Sequence, residues 1–365
     1  MNPLSESPAT ERGATRLPVA VASLPPQALH AEADAAGVTL FFAETQVLAL
    51  RRTAPGRPLS YRAPYGQAPA DEARLLVAAL EGWFALAPEA LSVDLEADRV
   101  TPGLAHLAES GVLLRLSAQQ YRCHAEVLWQ LPALWLPEAR QPYPQHQVTT
   151  AGVRHPRRPP HPTRTLYRRF IPWLGQTLTL EPVDIDTDLP AFNRWMNTPR
   201  VARFWNETGS LDDHRHYLQT LLASAHSFPI IGRFDGVPFG YFEAYWARED
   251  RIAPYYDAQD YDRGLHLLVG EEAYRGQAFY TAWFSSLCHF AFLADPRTQR
   301  VVCEPSHDNR RQLSNFDRSG FARIKSFDFP HKRATLVMLS REHFFHEHLF
   351  HPLAAPRGTR HFSRS

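Results

Sequence analysis

Cysteine is scarce in this chain: Cys123, Cys288 and Cys303 are the only three in 365 residues. They are odd in number and widely spaced, with no Cys-x-x-Cys pair, which excludes a disulfide framework and gives no zinc-ligand or redox spacing. They read as buried free thiols in a reducing compartment. Net charge is equally lacking, with 39 basic against 38 acidic residues. The whole chain therefore offers no field to draw nucleic acid or an anionic membrane. No apolar run approaches the roughly 20 residues of a membrane span. The first residues, MNPLSESPATERGATRLPVAVASL, lack a basic start followed by a long apolar stretch, so no signal or transit peptide is read. No repeat period appears. These absences leave a cytoplasmic protein with neither nucleic acid nor membrane as partner.

What is present is a large potential core, 44% hydrophobic and 12% aromatic, in a chain long enough for two domains. Residues 1–17 are polar and read as a flexible tail, and residues 18–138 as a small N-terminal α+β domain. Within that domain VTLFFAETQVLALRR alternates well enough for one or two strands, and DEARLLVAALEGWFAL has helical spacing behind an acidic first turn. Further strands are expected around Val112–Leu116 and Ala125–Leu136. Residues 139–163, rich in proline and arginine, read as a linker, and the run of Arg154, Arg157, Arg158, Arg164, Arg168 and Arg169 as a solvated connector.

From residue 164 to 348 the pattern becomes regular, with residues 349–365 as a C-terminal tail. Its order is β-α-α-β-β-β-α-β-α-β-β, which predicts a mixed central sheet flanked by helices. Ser210 with Asp212 and Asp213 opens one helix, and Asp235-Gly236 turns a hairpin.

Three features in Gly240–Asn309 point to chemistry. Glu271–Phe279, EEAYRGQAF, places Gly276 where a strand gives way to a long helix whose first-turn N–H groups can bind phosphate oxygens, with Arg275 beside them. Neither a P-loop nor a dinucleotide fingerprint is present. His266 lies on the short apolar strand RGLHLLVG, where it is either a core histidine or a proton acceptor. RVVCEPSHDN ends a second strand, with Ser306 and Asp308 as natural helix N-caps.

The succession of strand, glycine turn, helix, strand, EP-x-x-x-N, helix and GF resembles the GNAT acyltransferase superfamily. The match is to its siderophore-biosynthesis branch, which acylates N-hydroxylysine, N-hydroxyornithine or related hydroxyamines. The residues carrying it include Trp195, Asn197, Arg200–Trp205, Gly240–Glu243, Tyr255–Asp257, Asp262, Gly264–His266, Arg275-Gly276, Glu304-Pro305, Asn309, Gly320-Phe321 and Lys332. They span about half the chain. The family signature Q/R-x-x-G-x-G/A is met at Gly276 and Ala278, whereas Ala273 stands at its first position.

The resemblance implies a GNAT-type fold, acetyl-CoA or another acyl-CoA as co-substrate, no metal, and direct transfer that yields a hydroxamate. It implies a CoA cradle at Arg275, Gly276, Gln277 and Ala278. Backbone contacts to the thioester and pantetheine arm would come from Leu267, Leu268 and Val269, with an arm contact from Asn309. His266 is then the expected general base, acting as a neutral imidazole. Family members commonly carry an aspartate directly after the proline, where this chain has Ser306; that leaves Glu304, Asp308 or no carboxylate to assist, and Glu304 is the one taken as catalytic. Trp205, Glu243, Tyr256, Asp257 and Asp262 are expected to line the pocket for a small-molecule hydroxyamine. Association with other siderophore-biosynthesis enzymes belongs to the same expectation. Two other readings stay open: acetylation of an ordinary amine such as an aminoglycoside or polyamine, and a non-catalytic scaffold in which the N-terminal unit mediates association and the C-terminal fold has lost turnover. A degenerate copy of the same fold that covers the active site is an open reading of the N-terminal domain.

Overall fold

The computed structural model describes residues 15–18, 29–42, 44–62, 69–138 and 141–351. Most of the expected N-terminal tail, and the expected C-terminal tail beyond residue 351, lie outside the described residues. The chain divides into two compact units, Met1–Leu128 and Trp129–Ser365.

The first unit is an eight-stranded sheet. Its strands are β1 (Thr15–Pro18), β2 (Leu29–Asp34), β3 (Gly37–Phe42), β4 (Thr45–Arg51), β5 (Leu59–Tyr61), β6 (Ser92–Ala97), β7 (Leu114–Arg115) and β8 (Gln120–His124), in the order β1-β2-β3-β4-β5-β6-β8-β7. Helix α1 (Pro69–Leu86) connects β5 to the parallel β6, and α2 (Pro102–Glu109) follows β6. The strand expected over Ala125–Leu136 is instead two short helices, α3 (Ala125–Leu128) and α4 (Pro132–Trp135). Pro132 sits at the first turn of α4, where its missing N–H costs nothing.

In the second unit, β9 (Gln147–Thr150) and β10 (Val153–Pro156) form a separate hairpin. The arginine run around it is not a solvated connector throughout. Arg158 is buried against Glu249 (2.6 and 2.5 Å), and Arg169 stacks 3.5 Å over the Phe350 ring. The main sheet then runs β11 (Tyr167–Ile171), β12 (Gln176–Pro182), β13 (Ser227–Phe234), β14 (Val237–Trp246), β15 (Arg263–Val269), β16 (Arg300–Cys303), β17 (Ala322–Asp328) and β18 (Arg333–Ser340). Its order, β11-β12-β13-β14-β15-β16-β18-β17, repeats that of the first unit strand for strand, with one parallel pair, β15 with β16, at the corresponding place.

Between β12 and β13 lie α5 (Ile185–Met196), α6 (Pro199–Trp205) and α7 (Leu211–Ala223). Ser210 and Asp213 close a capping box on α7. Phe192, Trp195, Met196 and Leu218 of these helices pack with Ile231, Tyr241 and Leu268 of the sheet. Helix α8 (Gln277–Ala294) connects β15 to β16 and is buried along its whole length from Ala282 to Leu293, which is why its sequence is apolar all round. Helices α9 (Arg310–Arg318) and α10 (Arg341–His346) complete the unit. At the β13–β14 turn both central residues have positive φ, Asp235 at 48° and Gly236 at 81°, as a two-residue hairpin of this twist demands.

Candidate active site

Register places the site. In the antiparallel β14–β15 pair Glu243 stands opposite His266, and Tyr245 opposite Gly264. Side chains alternate along a strand, so Tyr241, Glu243, Tyr245, His266 and Leu268 share one face of the sheet. Gly264 makes this possible: a Cβ there would lie 1.9 Å from the Tyr245 ring, which crosses over the glycine to reach Glu304.

His266 is held between two carboxylates. Its Nδ1 lies 2.6 Å from Glu243 Oε2 and its Nε2 2.9 Å from Glu304 Oε1. Both glutamates are 3% exposed, and the His266 side chain 23%. Glu243 Oε1 accepts from the hydroxyls of Tyr217 (2.6 Å) and Tyr241 (2.9 Å), and Glu304 Oε2 accepts from Tyr245 (2.8 Å). Arg251 and Lys332 stand 3.9 and 4.0 Å from Glu304 Oε1. Rings of Tyr245 and Trp205 flank the imidazole at 4.8 and 6.2 Å.

Burial works against charge on all three groups, and their mutual attraction overcomes it. Burial lowers the His266 pKa, but the Glu304 charge and the hydrogen bonds to both glutamates raise it to about 10. Burial raises both carboxyl values, but His266 brings each below its ordinary value, aided by tyrosine hydroxyls and, at Glu304, by Lys332. The array is thus carboxylate, imidazolium, carboxylate, with net charge −1. A carboxylate at each ring nitrogen favours the doubly protonated ring over the neutral imidazole expected from sequence.

The other anticipated residues separate into groups. Beyond Gly264 the register of β15 with β16 ends, so Leu267, Leu268 and Val269 lie where the two parallel strands part. Gly276 caps α8 with φ +108°, open space where a Cβ would stand, and no side chain capping the first turn. Gln277 and Ala278 begin that helix, and Arg275 pairs with Glu272 at 3.2 Å. Arg200 reaches the same turn by donating to the Gly270 carbonyl (3.0 Å). Burial and the charges of Arg275 and Arg311 lower its pKa. Asn309, not Ser306 or Asp308, caps α9, accepting from the Gln312 N–H at 3.2 Å. Ser306 donates to Asp308 at 2.5 Å.

Asp262 is 1% exposed and already engaged by Arg300 (2.9 and 2.6 Å) and the Tyr256 hydroxyl (3.0 Å). Asp257 and Asp262 line a polar cleft of about 550 Å³ with Arg248 and Arg300, and His266 is not part of its lining. Trp205 and Glu243 are brought to the histidine; Tyr256, Asp257 and Asp262 show no contact with it. Tyr217, Tyr241, Arg251 and Lys332 complete the surroundings. Tyr241 and Tyr245 were legible as same-face neighbours of Glu243 on a strand, whereas Tyr217 reaches in from α7 with no local signal. Cys288 and Cys303 are buried, and desolvation pushes both thiols up, so neither is an activated nucleophile.

The acetyltransferase (GNAT) domain family matches residues 184–329, which include Glu243, His266 and Glu304. The N(6)-hydroxylysine O-acetyltransferase of Escherichia coli is 44% identical over 226 residues, 61% of this chain and 71% of that protein. The chain belongs to the GNAT acyltransferases. An N(5)-hydroxyornithine:cis-anhydromevalonyl coenzyme A-N(5)-transacylase of Beauveria bassiana is 46% identical over 218 residues, 55% of this chain and 48% of that one. A solved structure from Bacillus halodurans is 28% identical, with 52% of this chain and 96% of its own covered at a TM-score of 0.49. As a GNAT enzyme the chain takes its acyl group from acyl-CoA. The open, uncapped start of α8 behind Gly276 fits a phosphate-bearing donor: its free N–H groups and the adjacent Arg200 and Arg275 are what anionic oxygens require. Among the described residues no helix is long and apolar enough to cross a membrane.

Proposed function

We propose that this acyltransferase, acting in the cytoplasm, acylates the hydroxyamine nitrogen of N-hydroxylysine, N-hydroxyornithine or hydroxyputrescine. The product is a hydroxamate for siderophore synthesis. The observation that carries the reading is the Glu243–His266–Glu304 array on a chain 44% identical to a hydroxylysine acetyltransferase. A hydroxyamine nitrogen is less basic than an alkylamine and is largely neutral, so it needs to lose one proton, and only as the C–N bond forms. The nitrogen becomes cationic and strongly acidic as the C–N bond forms, so it can hand its proton even to a carboxylate held below its ordinary pKa, as Glu304 is.

Bound acyl-CoA supplies the thioester carbonyl carbon that the nitrogen attacks and the thiolate that leaves. Glu243, fixed by two tyrosine hydroxyls, holds the His266 ring in place. Glu304 and the ring take the nitrogen's proton and return one to the leaving sulfur. Backbone N–H groups of Leu267–Val269, where β15 parts from β16, face the developing oxyanion. Arg200, Arg275 and Arg311 hold the phosphates at the Gly276 turn, and Asn309 contacts the pantetheine arm. Association with other enzymes of siderophore synthesis belongs to the same proposal.

The test is turnover of acetyl-CoA with each of the three hydroxyamines, read both as CoA release and as the coloured ferric complex that only a hydroxamate gives. Wild type should give both signals, and Glu304→Gln should lower kcat by roughly 10²–10⁴. CoA release without a ferric complex would refute acylation of the hydroxyamine nitrogen, and no turnover on any of the three would end the proposal.

A further inference from the structure

The opposite face of β14 and β15 carries a second cavity. Trp246 stands opposite Arg263, and Ala244 opposite Leu265, so these side chains point away from His266. There Trp246, Arg263 and Ala244 line a cavity of about 280 Å³ with Phe228, Phe290, Ala291 and Pro162 among its walls. Its lid is the proline-rich stretch that sequence alone read as a linker: Pro159, Pro160, His161 and Pro162 all face it.

Of the charged residues in the lining, Arg164 pairs with Glu138 at 3.2 Å and Asp295 with Arg297 at 2.6 Å, which leaves Arg263. It is 7% exposed, its Nε has no hydrogen-bond partner, and no carboxylate of the described residues forms an ion pair with it. Its guanidinium lies 4.0 Å over the Trp246 ring, with Arg158 4.3 Å from that ring. Asp295 and Glu249 attract Arg263 from a distance without pairing with it, because each is held by another arginine. Glu249 is taken by Arg158 (2.6 and 2.5 Å), and Asp295 by Arg297 (2.8 and 2.6 Å). Burial and the Arg263 charge both lower the pKa of His161, so the imidazole adds no compensating charge. A buried cation without a partner costs several kcal/mol, a cost that an anion entering the cavity would offset.

From this we infer that the cavity is a binding site for a small apolar monocarboxylate, its carboxylate on Arg263 and its hydrocarbon body against Trp246, Phe228 and Phe290. The volume equals that of about nine waters, which suits an acid of about ten non-hydrogen atoms and excludes a drug-sized ligand. One unpaired cation calls for one negative charge. The site is distinct from the acyl-transfer site, since the sheet itself lies between Arg263 and His266.

Octanoate is the probe, titrated calorimetrically into the full chain with saturating CoA present, and 1-octanol is the control. Octanoate should bind with CoA bound, and octanol at least tenfold more weakly. Arg263→Met should weaken octanoate at least tenfold while melting no lower than wild type, because it replaces an unpaired buried charge with an apolar chain of similar length. Ala294→Trp, at the exposed end of α8, should block the cavity without touching the core. Octanoate that fails to bind, that CoA displaces, or that binds Arg263→Met or Ala294→Trp as well as wild type would overturn the inference.

Discussion

Glu243→Gln tests the array at its most buried point. Glu243 accepts three hydrogen bonds, from Tyr217, Tyr241 and His266, at 2.6 to 2.9 Å. A glutamine keeps the shape but offers one acceptor oxygen and an NH2 group, so at least one donor loses its acceptor and the imidazolium loses one of its two counter-charges. Removing one partner of a buried pair costs about 3–5 kcal/mol, and each charge-assisted bond about 1.5–3 kcal/mol, so the two routes agree. The loss depends on pH. His266 has a folded pKa raised to about 10, so its stabilising contribution is fully present below the unfolded value near 6.5 and disappears as pH rises through 10. Glu243 is shifted the other way, and its contribution disappears as pH falls below its unfolded value near 4.5. The gap between wild type and variant should therefore be widest from about pH 5 up to the variant's own histidine pKa, and close towards pH 10. Urea unfolding followed by tryptophan fluorescence at pH 5.5, 7.5 and 9.5 measures it. NMR of the His266 ring carbon reports the titration itself. A wild-type midpoint near 6.5, or a gap that stays flat to pH 10, would refute the reasoning.

Two further outcomes separate binding from scaffolding. Gly276→Val forces a β-branched residue to φ +108°, at a cost of roughly 1–3 kcal/mol, in a place where nothing else crowds a side chain. It should raise KM for acyl-CoA about tenfold or more with a much smaller change in kcat, and equal losses in both would place the turn outside donor binding. Asp262→Asn leaves Arg300 without its buried carboxylate and should cost about 3–5 kcal/mol in urea unfolding. KM for the hydroxyamine should stay within twofold, and a large rise would return Asp262 to the substrate pocket.

The second unit was legible because its strands alternate and its helices carry their caps: the expected order of strands and helices is the observed one from β12 to β18, with α6 the one addition. The short α6 escaped because its seven residues have no side-chain cap and its stop is Asn206 at φ 56°, a conformation no pattern announces. Ala125–Leu136 was misread because a short apolar run has the same appearance in a strand and in a buried helix. The site divides on the same physical ground. Asp262 was expected among the carboxylates of the substrate pocket; four positions along an extended strand at about 3.3 Å per residue set it about 13 Å from His266. Glu243 lies 23 residues away and is the true neighbour, since the β14–β15 register sets it opposite the histidine. Contacts made by strand pairing are a property of register, and register is set by the whole sheet.

The repeated topology shows where the two units differ among the described residues. Both sheets follow the same strand order and place a helix across the one parallel pair, and no sequence period betrays it. In the first unit β2 passes to β3 through a tight turn at Ala35-Ala36, whereas the second unit inserts α5, α6 and α7 at that point. Those helices bring Trp205 to the imidazole and Tyr217 to Glu243. The first unit has neither, and its β5 is only three residues long, carrying Tyr61. The Tyr61 hydroxyl is bonded to the buried Glu72, whose remaining capacity is filled by Thr101 and the Gly103 N–H. A carboxylate with all its donors supplied by the fold has no proton to exchange with a ligand. The second unit's carboxylates are also fully supplied, but one of their donors is the half-buried His266, and under the proposed function that single difference lets the network take up and release a proton.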